Sequence, residues 1–309
     1  AVDCLRLDHA GKTIDDKSAM NSGLIVPSMI GIYVGAIIVV LVVLITYLWM
    51  VSGSFKSTLE IQSADFRDPE LAPRWIPRHF TWENYIRINQ TVRMLDYFRN
   101  SMIISGGTML ASILLSLFAA YSLSRFRFRL KEPYVGSLLL TQMFPGILFL
   151  IPYYVMFVVF NRFTGVQLRN SYLGMIFTYT SFALPFSILM LRSFLAGIPR
   201  EIDEQAQIDG CSTLGIIFRI ILPLARPGIA AVAIYGFIMA WNEMLFASVL
   251  TGTETKTVAI GLLEFITTQE SRWAGMMAAS VIVTIPVLIL FTFVQKQIIE
   301  GLVGGATKG

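Results

Sequence analysis

The sequence predicts an all-α integral membrane protein with six transmembrane helices. Two observations carry that reading. Hydrophobic residues make up 55% of the 309 residues and charged residues only 14%, against about 25% charged in soluble domains. The charge deficit is also uneven. It concentrates in six apolar blocks: Pro27–Val51, Ser101–Leu123, Tyr134–Phe160, Asn170–Leu191, Pro227–Leu250 and Met276–Gln295. Each is about 20 residues or longer, enough to cross a ~30 Å hydrocarbon core at ~1.5 Å per residue. Five of the six hold no Asp, Glu, Lys or Arg, and the fifth holds Glu243 alone. Strands of a membrane barrel would be about 10 residues long with alternating polarity. These blocks are longer and uniformly apolar, so helices satisfy the backbone instead.

The blocks divide the chain into a polar N-terminal segment (1–26), a six-span domain (27–299) and a C-terminal tail (300–309). No short apolar core follows a basic start, so the first residues do not read as a signal peptide. Orientation follows from the short links. Ser124–Pro133 holds Arg125, Arg127, Arg129 and Lys131, and Arg192–Arg226 holds Arg192, Arg200, Arg219 and Arg226. Lys and Arg enrich cytoplasmic loops, which puts these two links and both termini inside. The long external link 52–100 carries seven cations, so over all segments the bias is only thirteen inside to eleven outside. Pro69, Pro73 and Pro77 in that link suggest an extended path before a short interfacial helix near Trp82–Asn89.

Composition also removes function classes. Two cysteines, Cys4 and Cys211, and two histidines, His9 and His79, supply neither a disulfide framework nor a metal spacing. The Arg-Phe-Arg-Phe-Arg run at 125–129 reads as membrane-orienting cations with interfacial aromatics rather than a nucleic-acid patch. No span holds paired carboxylates, or a serine beside a base, for intramembrane catalysis. The chain reads as a transport protein and not an enzyme.

The cytoplasmic link 192–226 is the most informative stretch. Glu201, Asp203 and Glu204 crowd the start of an expected short helix, about Pro199–Asp209, with Pro in its first turn and Gly210 at its end. A second short helix, about Thr213–Ile221, is expected to end before Leu222-Pro223. Two spans need only a few residues to join them, so a structured protrusion implies a partner. The pattern Glu204-Gln205-Ala206, Asp209-Gly210 and Ile221-Leu222-Pro223 resembles the "EAA" loop of ABC-type importer permeases, with Gln205 in place of the middle alanine. Three further stretches resemble the carbohydrate (MalG-like) group of that family. They are Trp241-Asn242-Glu243-Met244-Leu245-Phe246, Ser54-Phe55-Lys56 with Thr81-Trp82-Glu83-Asn84-Tyr85, and the tail Gln297–Gly309.

The resemblance implies a type I ABC importer permease fold in a bacterial or archaeal cytoplasmic (inner) membrane. Its partners would be a second, non-identical permease, two ATPase subunits, an extracytoplasmic solute-binding protein and membrane lipid, with no nucleic acid. The chain itself would bind no cofactor, with ATP and Mg held by the ATPase subunits. Consistent with that, the sequence contains no G-x-x-x-x-G-K-[ST] loop. The resemblance further implies a coupling helix docked on an ATPase. Glu201, Glu204, Gln205, Ala206 and Asp209 would form the contact, Gly210 the turn and close approach, and Leu222 and Pro223 the return into the membrane. The tail, through Gly301, Gly304 and Lys308, would reach the ATPase interface as an extended segment.

Solute-path candidates are Tyr235, Met239, Asn242 and Phe246, spaced four, three and four along the fifth span, with Tyr153 in the third. Aromatic and amide groups suit a sugar, although helix packing accounts for the same residues. Glu243 has two readings, beside a watery cavity or hydrogen-bonded to the partner permease. A self-sufficient secondary transporter or channel subunit is the competing class. A secondary transporter would need more ion-coupling groups in the spans than this one acid.

Overall fold

The computed structural model describes residues 14–64, 72–266 and 272–306. In chain order the α-helices are α1 (Ile14–Ser54), α2 (Thr58–Gln62), α3 (Glu83–Thr91), α4 (Met94–Arg125), α5 (Lys131–Met143), α6 (Leu150–Thr164), α7 (Tyr172–Ala196) and α8 (Glu201–Ile208). There follow α9 (Thr213–Ile216), α10 (Leu222–Leu224), α11 (Arg226–Asn242), α12 (Leu245–Leu250), α13 (Val258–Leu263) and α14 (Trp273–Ala306). Among the described residues, five helical stretches are long and apolar enough to cross a membrane, and six if the bent pair Thr213–Leu224 and Arg226–Asn242 counts as one span.

Two of the expected spans are broken, each for a local reason. The block Tyr134–Phe160 divides into α5, a 3-10 turn over Gly146–Phe149, and α6. Pro145 pushes the residue before it out of helical geometry, and Phe144 is accordingly extended. The two halves then pack on different neighbours. On α5, Leu138 is buried with Leu123 and Ile188, whereas on α6 Phe157 is buried with Met175, Tyr179 and Phe246. The block Pro227–Leu250 is broken at Glu243, which is extended and separates α11 from α12.

The helical ends also differ from expectation. The backbone of α1 is helical from Ile14, inside the segment 1–26 expected to precede the membrane helix. Gly301 and Gly304, expected in an extended tail, continue α14 as helix to Ala306. Adding a turn to an existing helix fixes one residue per hydrogen bond and avoids the cost of nucleation. Lys308 lies outside the described residues.

The centre of the bundle is α4 packed on α7, with α11 laid across both. The inward stripe of α4 is built from Ser101, Ser105, Thr108, Ser112 and Ser116, all buried. Small side chains let neighbouring backbones come close, and lipid offers no reason to keep larger apolar groups inside. The apolar side chains of α1 from Ile32 to Ile45 point outward instead.

At the end of the bundle where α1 stops and α4 begins, Ser54-Phe55-Lys56 and Thr81–Tyr85 meet. Asn84 Nδ2 donates to the carbonyls of Ser54 and Lys56, both at 2.8 Å, and Phe55 stacks on Phe80 with ring centroids 4.5 Å apart. The Lys56 ammonium sits 4.3 Å from the Trp49 ring centre, and burial pushes it below the usual lysine range despite nearby Glu60. Asn100 Nδ2 likewise donates to the carbonyls of Glu254 and Lys256 while its Oδ1 accepts from Tyr172 Oη. Side-chain amides thus close the loops over this end of the spans.

Candidate functional site

The candidate site is the surface of α8 and its mounting on the bundle. Its eight residues, Glu201–Ile208, present two unlike faces. Asp203 and Ala206, three apart, point inward and are buried. Glu201, Glu204, Gln205 and Ile208 occupy the helical positions i, i+3, i+4 and i+7 on the other side, and all are exposed. Ile208 is 86% exposed and nearby Leu214 is 60% exposed. Carboxylates around uncovered aliphatic side chains have the make-up of a polar-rimmed docking patch. Gln205 stands on this outward face, so its replacement of the family's alanine leaves the internal packing of the helix untouched.

Of the three acids at the helix start, Asp203 has a separate role. Its Oδ2 accepts from Tyr121 Oη and from Arg125 Nε, each at 3.0 Å. The Arg125 and Asp203 side chains are 7% and 8% exposed. Arg125 Nη1 also donates to the Ile198 carbonyl at 3.0 Å, and Arg200 Nη2 donates to the Ser124 carbonyl at 2.9 Å. The start of α8 is thereby tied to the end of α4. Ala206 completes the mounting, buried among Leu117, Ala120, Tyr121, Leu191 and Leu195. Asp203, Arg125 and Tyr121 were missed as site residues in the sequence. The available signal was the spacing of Asp203 three residues before Ala206, which puts an acid on the inward face.

The end of α8 explains Gly210. Cys211 N–H donates to the Ala206 carbonyl at 2.9 Å and Gly210 N–H to the Gln207 carbonyl at 3.0 Å. These two bonds form a Schellman cap, which needs a left-handed residue at its centre, and Gly210 has φ +79°. The expected close approach is not seen within this chain, because a Cβ at Gly210 would meet nothing within 4 Å. Within this chain it is the backbone conformation that selects glycine here. Gly210→Ala is expected to lower stability by about 1–2 kcal/mol, read as a shift in thermal unfolding of the purified chain. An unchanged transition would refute the assignment.

Past the cap, the helical path runs through Leu222-Pro223 rather than stopping before it. A π turn over Ile217–Ile221, closed by Leu222 N–H on the Ile217 carbonyl, carries the chain past Pro223. The wider turn accommodates a ring that would clash with an α-helical carbonyl four residues back. Leu222 packs against the cluster that holds Ala206, and the chain then bends by 83° into α11. Gly228 is required just past the bend, since a Cβ there would lie 2.7 Å from the Phe194 ring of α7.

The solute-path candidates separate. Tyr235, Met239 and Asn242 remain on a half-buried to exposed side of α11, with Tyr235 against Phe186 at 4.6 Å between centroids. Phe246 leaves that face at the Glu243 break and is buried beside Phe182. Tyr153 packs near both rings and its hydroxyl is hydrogen-bonded to Ser181. Glu243 caps α12, its Oε1 accepting from Phe246 N–H at 3.0 Å and its Oε2 from Ala247 N–H at 3.2 Å. Tyr179 Oη donates to the same Oε2 at 2.7 Å. The carboxylate thus satisfies backbone donors exposed by the broken span. Among the described residues no cluster of three or more potential metal ligands occurs.

The chain is similar to known transport proteins. The chain is 34% identical over 285 residues to the inner membrane ABC transporter permease protein YcjP of Escherichia coli, covering 91% of this chain and 97% of the relative. It is 34% identical to the trehalose/maltose transport system permease protein MalG of Thermococcus litoralis, covering 89% and 95%. It is 32% identical to the diacetylchitobiose uptake system permease protein DasC of Streptomyces coelicolor, covering 84% and 90%. Its fold is similar to a chain in the crystal structure of a bacterial ABC transporter involved in the import of the acidic polysaccharide alginate. The TM-score is 0.69 at 21% identity, over 90% of this chain and 97% of that one. Residues 112–302, from the middle of α4 into the last turns of α14 and including all of α8, match the family described as binding-protein-dependent transport system inner membrane component, and the chain belongs to that family.

Proposed function

We propose that this chain is one of two permease subunits of an ATP-driven importer for a sugar or related solute. The observation that carries the proposal is the exposed face Glu201-Glu204-Gln205-Ile208 on a helix anchored by the Asp203–Arg125 pair. An outward docking face on a rigid mount can pass a push from a cytoplasmic ATPase into α4 and α7. The ATPase subunits, present in two copies, would hold ATP and Mg. Relatives named for diacetylchitobiose, trehalose and maltose support a saccharide as cargo. The named complex of an alginate transporter with a periplasmic protein supports delivery by a solute-binding protein. In this reading both termini are cytoplasmic and the outward apolar surface of α1 faces lipid or the second permease. Tyr235, Met239 and Asn242 contribute one wall of the path, and nucleotide binding biases two packings of the bundle.

A pull-down from detergent tests this. The native chain should bring down an ATPase and a second permease. Glu204→Lys combined with Gly210→Trp should lose the ATPase while keeping the permease. Purification of the native chain alone as a functional homo-oligomer would instead establish a self-sufficient transporter or channel.

A further inference from the structure

The cytoplasmic ends of α4, α5 and α7 and the entry to α8 enclose a pocket of about 400 Å³. Its lining includes four cations, Arg125, Lys131, Arg192 and Arg200, and one carboxylate, Glu201. Arg125 and Arg200 are engaged with Asp203 and the Ser124 carbonyl. Lys131 and Arg192 are half-buried, and among the described residues their side chains make no hydrogen bond or ion pair. Arg125 Nη2 is buried with no hydrogen-bond partner, but so is Oδ1 of its own partner Asp203, so the unmatched donors are those of Lys131 and Arg192. A pocket with this surplus of donors and positive charge calls for an anion with several acceptor oxygens.

The surroundings indicate what carries that anion. Phe126, Phe128, Leu130 and Tyr134 are exposed beside the pocket, at the point where α4 ends and α5 begins. Aromatic and apolar side chains in that position mark the boundary between headgroups and acyl chains. A soluble phosphate would have no use for them, whereas a phospholipid places its phosphate and its chains side by side. Basic pockets between spans on the cytoplasmic side are suited to anionic headgroups. We propose that this pocket binds the headgroup phosphate of an anionic phospholipid of the cytoplasmic leaflet, with Lys131 and Arg192 as its main ligands. Because Ile198–Glu201 form part of the wall, the bound lipid braces the root of α8. The proposal rests on the orientation proposed above, with this end at the cytoplasmic leaflet, and it stands or falls independently of ATPase docking.

The test is native mass spectrometry of the delipidated full chain titrated with phosphatidylglycerol, phosphatidylcholine or inorganic phosphate. One phosphatidylglycerol should be retained where phosphatidylcholine is not. Lys131→Gln with Arg192→Gln should weaken it by about tenfold or more. Lys131→Arg with Arg192→Lys should keep it, which guards against loss through misfolding. Arg127→Gln with Arg129→Gln removes the same charge from exposed positions and should change the affinity less than about threefold. Equal loss in both glutamine pairs would mean diffuse attraction and overturn the site. Displacement of the lipid by inorganic phosphate at matching affinity would overturn the lipid assignment. A photocrosslinker replacing Glu132 should capture phospholipid in native membranes, and capture of polypeptide alone would assign the pocket to a protein partner instead.

Discussion

Asp203→Ala is expected to destabilise the α8 end of the bundle by about 3–5 kcal/mol, the range for removing one partner of a buried ion pair. The reason is less the lost attraction than the charge left behind. Arg125 would remain a guanidinium in a site where its side chain is 7% exposed, and Tyr121 would lose its acceptor. The measurement is thermal unfolding of the purified chain together with protease cleavage within 192–226. A lower transition and faster cleavage are both expected. Arg125→Met alone should be nearly as damaging, because it strands the carboxylate. The double variant Arg125→Met, Asp203→Leu should recover most of the loss, since an apolar pair of similar size removes the desolvation problem. If the double variant is no better than the single ones, the pair is not the unit described here. If the exposed face of α8 docks an ATPase as proposed, transport should fall with the single variants even though Glu204 and Ile208 are untouched, because that face would no longer be held against α4.

Glu243→Leu is expected to cost about 2–4 kcal/mol, combining a lost helix cap with lost bonds to a charged group. Phe246 and Ala247 would each lose the acceptor of their N–H, as would the Tyr179 hydroxyl. Lipid cannot replace an acceptor in that position. Glu243→Gln keeps one carbonyl oxygen and should lose about half as much. Asn242→Ala, one residue earlier and exposed, should change stability by less than about 0.5 kcal/mol. Unfolding temperatures separate the capping role from a solute role. If Glu243→Gln shifts the solute dependence of transport while leaving the unfolding temperature unchanged, Glu243 belongs to the path and not to the scaffold.

The sequence by itself determined the class of molecule. Long blocks without charge admit only helices in a membrane, and the acids, proline and glycine around 199–210 mark a short helix with a defined end. Gly210 was legible because a left-handed cap leaves glycine as the ready solution. What the sequence did not encode is which face of each helix turns inward. In lipid an apolar side chain is accommodated on every side, so the usual contrast between buried and solvent-facing positions is lost. The inward stripe of α4 is accordingly its more polar one, Ser101 through Ser116. The spacing of Asp203 and Ala206 puts those two on one face, but only tertiary structure showed that this face is the buried one, because the partner Arg125 stands 78 positions away. Only tertiary structure made Arg125 a strut instead of one more orienting cation. The breaks at Phe144 and Glu243 belong to both levels. Pro145 announced the first locally, but the second became tolerable only because Tyr179, 64 positions earlier on α7, shares the carboxylate that caps α12.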